Sequence, residues 1–120
     1  MGFLSGRVII EKTQGSDMSE PDKIACFTPT KGRSGSTNIP RWKYECIRRA
    51  ILNVLSESSD GQILFKHLAE HVQEKLTSNQ LAKLGSVKWH VTTVKLNMEV
   101  EGELERVPQA TPQTLRKAIF

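Results

Sequence analysis

The sequence predicts an α+β fold in which three helices precede a C-terminal β-hairpin. Three observations predict it: an apolar stripe at helical spacing in residues 44–55, another in residues 65–76, and a long helical pattern in residues 87–100 that ends at a glycine before two short strands. Apolar residues that recur every three to four positions form one face of a helix. A proline-containing turn between two short strands indicates a hairpin. The chain of 120 residues has room for one domain.

The N-terminal part of the domain is predicted to be a short β-hairpin. Residues 23–27 form a strand candidate, a loop rich in glycine, serine and threonine follows in residues 28–36, and the chain returns in residues 37–39. The loop lacks the GxxxxGK[ST] pattern of a phosphate-binding loop, so a turn is the better interpretation. Residues 1–20 show no periodicity. We expect them to be disordered, as a leader, a misassigned start or sequence added for expression, and the domain to span residues 21–120.

Two amphipathic helices follow the hairpin. Pro40 suits the first turn of helix one, where its missing N–H costs nothing, and this helix is predicted to run to about Leu55. A short strand is predicted at residues 62–64, directly before helix two. Residues 77–78 can cap a short additional helix that Gly85 ends.

Helix three is predicted to be apolar on two opposite sides, because its residues fall about 100° apart around the axis. One stripe consists of Val87, Val91, Val94 and Met98, and the other of Trp89, Leu96 and Val100. A polar strip between them consists of Lys88, Thr92, Lys95 and Glu99. One stripe must pack on helices one and two, and the other needs a cover from the wing, the hairpin or a second subunit. We expect the N-terminal hairpin to bury the stripe that contains Trp89.

The C-terminal third completes the predicted topology. Ser86 caps helix three, Gly102 ends it, and strands at residues 103–107 and 114–117 flank a turn at residues 108–113. A long helix followed at once by a β-hairpin, with two helices before it, is the order of elements in a winged helix-turn-helix domain. The sequence therefore predicts this fold, with a short additional hairpin at its N-terminus.

Several short motifs carry a resemblance. The KYE helix start is Lys43-Tyr44-Glu45, and the pattern W-x-V-x-x-V-x-L-x-x-E-x-x-G runs from Trp89 to Gly102. Glu105-Arg106-Val107 and Pro112-Gln113-Thr114-Leu115-Arg116 follow on the wing. With these motifs, residues 23–117 resemble a small bacterial family of uncharacterised winged-helix-like proteins, which implies the fold and no reaction or ligand. Pro40 stands in place of an acidic cap, and Leu64 in place of a Ser or Thr cap on helix two.

Charge and fold together predict binding of double-stranded DNA. The net charge is +4, spread thinly along the chain. The candidate DNA contacts are Lys88, Thr92 and Lys95 on helix three, and Arg106, Gln109, Gln113, Arg116 and Lys117 on the wing. Lys and Arg would contact phosphates, and Gln or Arg could reach base edges, whereas Glu99, Glu103 and Glu105 would repel phosphate. The predicted function is a DNA-binding transcriptional regulator, and the alternative is a protein-interaction module or homodimer on the same fold.

Catalysis, cofactors and metals are not expected. Residues 67–71 match the zinc pattern H-x-x-E-H, with His67 and His71 one turn apart, but this face lies opposite the apolar stripe of helix two. We therefore expect it to face solvent without the third ligand that zinc needs. Cys26 and Cys46 are expected to be reduced thiols of a cytoplasmic protein. No apolar run approaches the roughly 18 residues of a membrane span, so no membrane partner is expected.

Overall fold

The computed structural model describes residues 22–118, except for the side chains of residues 32–34. The expectation for residues 1–20 lies outside this range. Within it, the elements in chain order are β1 (Lys23–Thr28), β2 (Gly32–Pro40), α1 (Arg41–Glu57), β3 (Gln62–Leu64), α2 (Phe65–Glu74), α3 (Ser78–Leu84), α4 (Val87–Val100), β4 (Leu104–Arg106) and β5 (Thr114–Lys117). The predicted α+β class is confirmed, and most helices and strands lie close to the positions that the periodicity indicated. The second strand of the N-terminal hairpin is the exception, because it begins at Gly32, inside the predicted loop.

The core lies where α1, α2 and α4 pack against one another. The predicted stripes supply it, because each helix buries the apolar face that its spacing defines. Its helical members are Tyr44, Ile47, Ala50, Ile51, Val54 and Leu55 from α1, Leu68 and Val72 from α2, Leu84 from α3, and Val91, Val94 and Met98 from α4.

The C-terminal sheet closes one side of this core. Its antiparallel strands lie in the order β3-β5-β4, so the two strands of the C-terminal hairpin are joined by the short strand that precedes α2. Ile63 lies opposite Leu115, and Leu104 and Leu115 are fully buried. The sheet therefore ties the end of the chain to the loop between α1 and α2.

The helix ends follow the capping residues in the sequence. Ser86 Oγ accepts a hydrogen bond from Trp89 N–H (3.1 Å) at the start of α4, and Gly102 has φ 82° just after its end. Leu64 leaves α2 without a side-chain cap, as expected. Pro40 differs from expectation: it ends β2 opposite Lys23 in an extended conformation and precedes the first turn of α1.

The N-terminal hairpin packs beside α4 and α1. Phe27 N–H donates a hydrogen bond to Asn97 Oδ1 (2.9 Å), and Asn97 Nδ2 donates to the Tyr44 hydroxyl (2.8 Å). Cys26 and Ile39 of the hairpin are buried against the same core. One buried amide side chain thus joins strand β1, helix α4 and helix α1.

The expectation that the hairpin buries Trp89 is wrong. Trp89 is 47% exposed, and Leu96 and Val100 are only half-buried. The hairpin reaches α4 through Asn97, which lies about 80° around the helix axis from Trp89. The outer stripe of α4, Trp89, Leu96 and Val100, is therefore left partly open to solvent.

Candidate nucleic-acid interface

Lys95 is not available to a phosphate, which corrects its assignment as a DNA contact. Its side chain is almost fully buried, its Nζ lies 2.5 Å from Glu99 Oε2, and it sits 4.5 Å from the centroid of the Phe65 ring. The polar strip of α4 turns towards α2 at this point, so the ammonium group points into the protein. Burial lowers the pKa of Lys95, while the hydrogen bond that its ammonium donates to Glu99 acts in the opposite direction.

The predicted arginine contacts on the wing are paired with carboxylates. Arg106 Nε lies 2.9 Å from Glu99 Oε1, so the Glu99 carboxylate binds both Lys95 and Arg106. Arg116 Nε lies 2.5 Å from Glu105 Oε2. Both guanidinium groups are partly exposed, but a phosphate would have to compete with these carboxylates for them.

The remaining wing candidates differ in accessibility. Gln109 at the turn and Lys117 on β5 are exposed. Gln113 is half-buried, and its Oε1 atom is buried without a hydrogen-bond partner. The Gln113 carbonyl accepts a hydrogen bond from Phe65 N–H (2.9 Å), which fixes this part of the turn to the start of α2. Gln109 and Lys117 can therefore contact a ligand, whereas the Gln113 amide oxygen faces inward.

The first half of α4 presents polar side chains to solvent. Lys88 is exposed, and Thr92 and Thr93 are half-buried on the side of the helix that faces away from the core. The first turn of α4, all of it described, carries no carboxylate. The positive end of the helix dipole and the Lys88 ammonium therefore act together on an approaching anion.

Further cations gather near the start of α4. Lys43 Nζ donates a hydrogen bond to the Leu84 carbonyl (3.1 Å), which joins the beginning of α1 to the end of α3, two residues before Ser86. We call the resulting surface the cationic end and define it by Arg41, Lys43, Lys83 and Lys88. Arg41 lies 3.9 Å from the exposed carboxylate of Asp22. This cluster could not be predicted from the sequence, because only tertiary packing brings α1 and α3 together.

The other candidate chemical groups do not assemble into a site. His67 is exposed, and His71 lies 3.7 Å from Glu74 in a half-buried position. Among residues 22–118, no three His, Cys, Asp or Glu side chains lie close enough together to hold a metal ion. Cys26 and Cys46 are free thiols, and burial raises the pKa of Cys26 to about 11. No helix in the described part of the chain is long and apolar enough to cross a membrane.

Trp89→Ala is expected to lower the free energy of unfolding by about 1 kcal/mol or less, because nearly half of the side chain is already in water. Met98→Ala, on the buried face of the same helix, is the control and should cost about 2–5 kcal/mol. Urea denaturation of both variants measures the difference. Equal losses of stability would show that Trp89 is a core residue.

The fold and this surface define a small α+β domain with a cationic end formed by the starts of α1 and α4 and the end of α3. A family model described as "Family of unknown function (DUF6958)" matches residues 23–115, so the chain belongs to that family. Searches of curated proteins and of solved structures found no match to it.

Proposed function

We propose that this protein is a winged-helix transcriptional regulator that binds double-stranded DNA and catalyses no reaction. The element order and the strand order β3-β5-β4 support the winged-helix assignment. Helix α4 packs on both α1 and α2 and directly precedes the β4–β5 hairpin. A helix in this position enters the major groove in helix-turn-helix proteins, and its N-terminal residues contact the base edges.

The observation that carries the proposal is the outward face of α4 in its first half. Lys88 and Thr92 are accessible there, and Lys88 belongs to the cationic end. A lysine can neutralise a phosphate, and a threonine can contact a base edge through its hydroxyl or methyl group. Gln109 and Lys117 on the wing could add contacts to the adjacent backbone.

The paired charges limit the strength of this interface. Arg106 forms an ion pair with Glu99, and Arg116 forms one with Glu105. Each phosphate neutralised adds to the affinity and to its dependence on salt. With few unpaired cations near α4, we expect moderate affinity and a shallow salt dependence.

Lys88→Ala is expected to weaken binding to a fluorescently labelled duplex of random sequence and to reduce the slope of log K against log salt by about one. Lys95→Met is the matched control, two turns further along α4, and should leave duplex affinity unchanged because the Lys95 ammonium is buried. Fluorescence anisotropy measures both. Loss of binding in a Lys95 variant that remains folded, with binding kept in the Lys88 variant, would overturn the assignment of the interface.

Self-association is a second candidate function, and the exposure of Trp89 favours it. The outer stripe of α4 runs along one side of the helix, so a second copy related by a two-fold axis could cover it. Light scattering coupled to size exclusion tests this. A wild-type dimer that Trp89→Ala converts to a folded monomer supports it, and a monomeric wild type at high concentration excludes it.

A further inference from the structure

A cleft between the start of α1 and helix α3 lies apart from the outward face of α4. It is lined by Trp42, Asn79, Gln80 and Lys83, and its volume is about 340 Å³. Trp42 is 44% exposed, and it is one of two large apolar side chains that the described residues leave this open.

A second, smaller hollow of about 80 Å³ borders the cleft at Gln80. Both hollows are lined by Gln80, and the second also includes Cys46, Arg49 and Asn53. None of the described residues that line the two hollows carries a carboxylate. The two hollows therefore combine an aromatic ring, amide groups and cations, which suits a planar ligand with a negative charge.

The structure fixes two of the lining side chains in place. Gln80 Oε1 accepts a hydrogen bond from Thr77 N–H (2.9 Å), and the Thr77 hydroxyl accepts one from Gln80 N–H (3.1 Å). This capping box leaves the Nε2 donors of Gln80 for a ligand. Lys43 lies over the Trp42 ring, 5.7 Å from its centroid, and is itself held by the Leu84 carbonyl.

We propose that this cleft binds one unstacked nucleotide. The base stacks on the Trp42 indole, the amides of Asn79 and Gln80 hydrogen-bond to the base edge, and Lys83 contacts the phosphate. Stacking of a base on an aromatic side chain is worth about 1–3 kcal/mol and tolerates any base, since every base has a π-face. This goes beyond duplex binding, because a paired and stacked base offers no free face to an indole.

The charge of the cleft distinguishes a nucleotide from other ring-containing ligands. A neutral sugar can also stack on tryptophan, but it gains no attraction between opposite charges from Lys83 or from Arg49 in the adjoining hollow. A phosphate gains from both cations, and no carboxylate that lines the cleft opposes it. The same chemistry is present in a free mononucleotide and in a single-stranded nucleic acid, so the experiment must separate these two sources.

Tryptophan fluorescence provides a direct test. The chain contains two tryptophans, so Trp89→Phe leaves Trp42 as the only indole. Titration with 5′-AMP and with an oligothymidylate of about ten nucleotides is expected to quench Trp42 emission. Asn79→Ala and Lys83→Gln in the same background should each weaken the quenching several-fold. Inorganic phosphate and glucose are the controls and should leave the emission unchanged.

Each outcome decides the proposal. Quenching by 5′-AMP, with or without quenching by the oligonucleotide, indicates a site for a small nucleotide, and quenching by the oligonucleotide alone indicates a single-strand site. No quenching by either probe, or quenching by glucose as strong as by 5′-AMP, would overturn it. Duplex binding depends on Lys88 and is measured separately, so the failure of one proposal leaves the other standing.

Discussion

Glu99→Ala is expected to lower the free energy of unfolding by about 3–5 kcal/mol, because it leaves the buried Lys95 ammonium without its carboxylate. Lys95 is 1% exposed, and the carboxylate that pairs with it belongs to Glu99, one turn away on α4. After the substitution, the Phe65 ring is the favourable contact that remains, and it cannot replace an ion pair. Urea denaturation measures the loss.

Two control variants distinguish the contribution of the Lys95–Glu99 ion pair to the free energy of unfolding from that of the exposed Arg106. Arg106→Ala removes the second cation that contacts Glu99, but the Arg106 side chain is 48% exposed, so we expect a cost of about 1 kcal/mol or less. The double variant Lys95→Met with Glu99→Leu replaces both charges with apolar groups and should recover most of the lost stability. A Glu99→Ala protein as stable as the wild type would show that Lys95 is solvated.

Asn97→Leu is expected to cost about 2–4 kcal/mol and to loosen the N-terminal hairpin, because it removes two hydrogen bonds in a buried position. Asn97 is 3% exposed, accepts a hydrogen bond from Phe27 N–H and donates one to the Tyr44 hydroxyl. Leucine has a similar volume but can form neither bond. Urea denaturation gives the cost, and hydrogen exchange of the β1 amides reports how firmly the hairpin is held.

Tyr44→Phe is the matched control for Asn97. It deletes one partner of the Asn97 amide and keeps the hydrogen bond to β1. We therefore expect it to lower the free energy of unfolding by about 1 kcal/mol and to leave hydrogen exchange of the β1 amides unchanged. If Asn97→Leu leaves β1 exchange at the wild-type rate, the hairpin is held by its apolar contacts through Cys26 and Ile39 instead.

The elements of the fold could be predicted from the sequence because local patterns determine them. The helical spacing of Ile47, Ile51 and Val54 indicated the buried face of α1. The caps at Ser86 and Thr77 and the glycines after α3 and α4 gave the helix ends within one or two residues. These signals lie within a few positions of the element they define, so no knowledge of tertiary contacts was needed.

The neighbouring element that covers each side of a helix could not be predicted in the same way. Helical spacing places Lys95 and Trp89 on different sides of α4, but it does not say which neighbour covers each side. Phe65 of α2 lies over Lys95, while β1 meets α4 at Asn97 and leaves Trp89 open. The one available signal was Glu99, four residues after Lys95, which is the spacing of an ion pair within a helix.

The cleft at Trp42 could be predicted even less well from the sequence, because tertiary packing alone forms it. Trp42 lies outside the apolar stripe of α1, which was a signal that it does not serve the core. The sequence pattern predicts only ordinary surface positions on a short helix for Asn79, Gln80 and Lys83. Only the packing of α3 beside the start of α1 brings them to the indole.

The most direct test of DNA binding is the affinity of the wild-type protein for duplex DNA across a salt series. The cations near the start of α4 predict measurable binding at low salt and a slope of log K against log salt of about −2 to −4. Fluorescence anisotropy with a random-sequence duplex provides this measurement. Absence of binding at the lowest salt concentration, or an affinity that salt leaves unchanged, would contradict a DNA interface on α4.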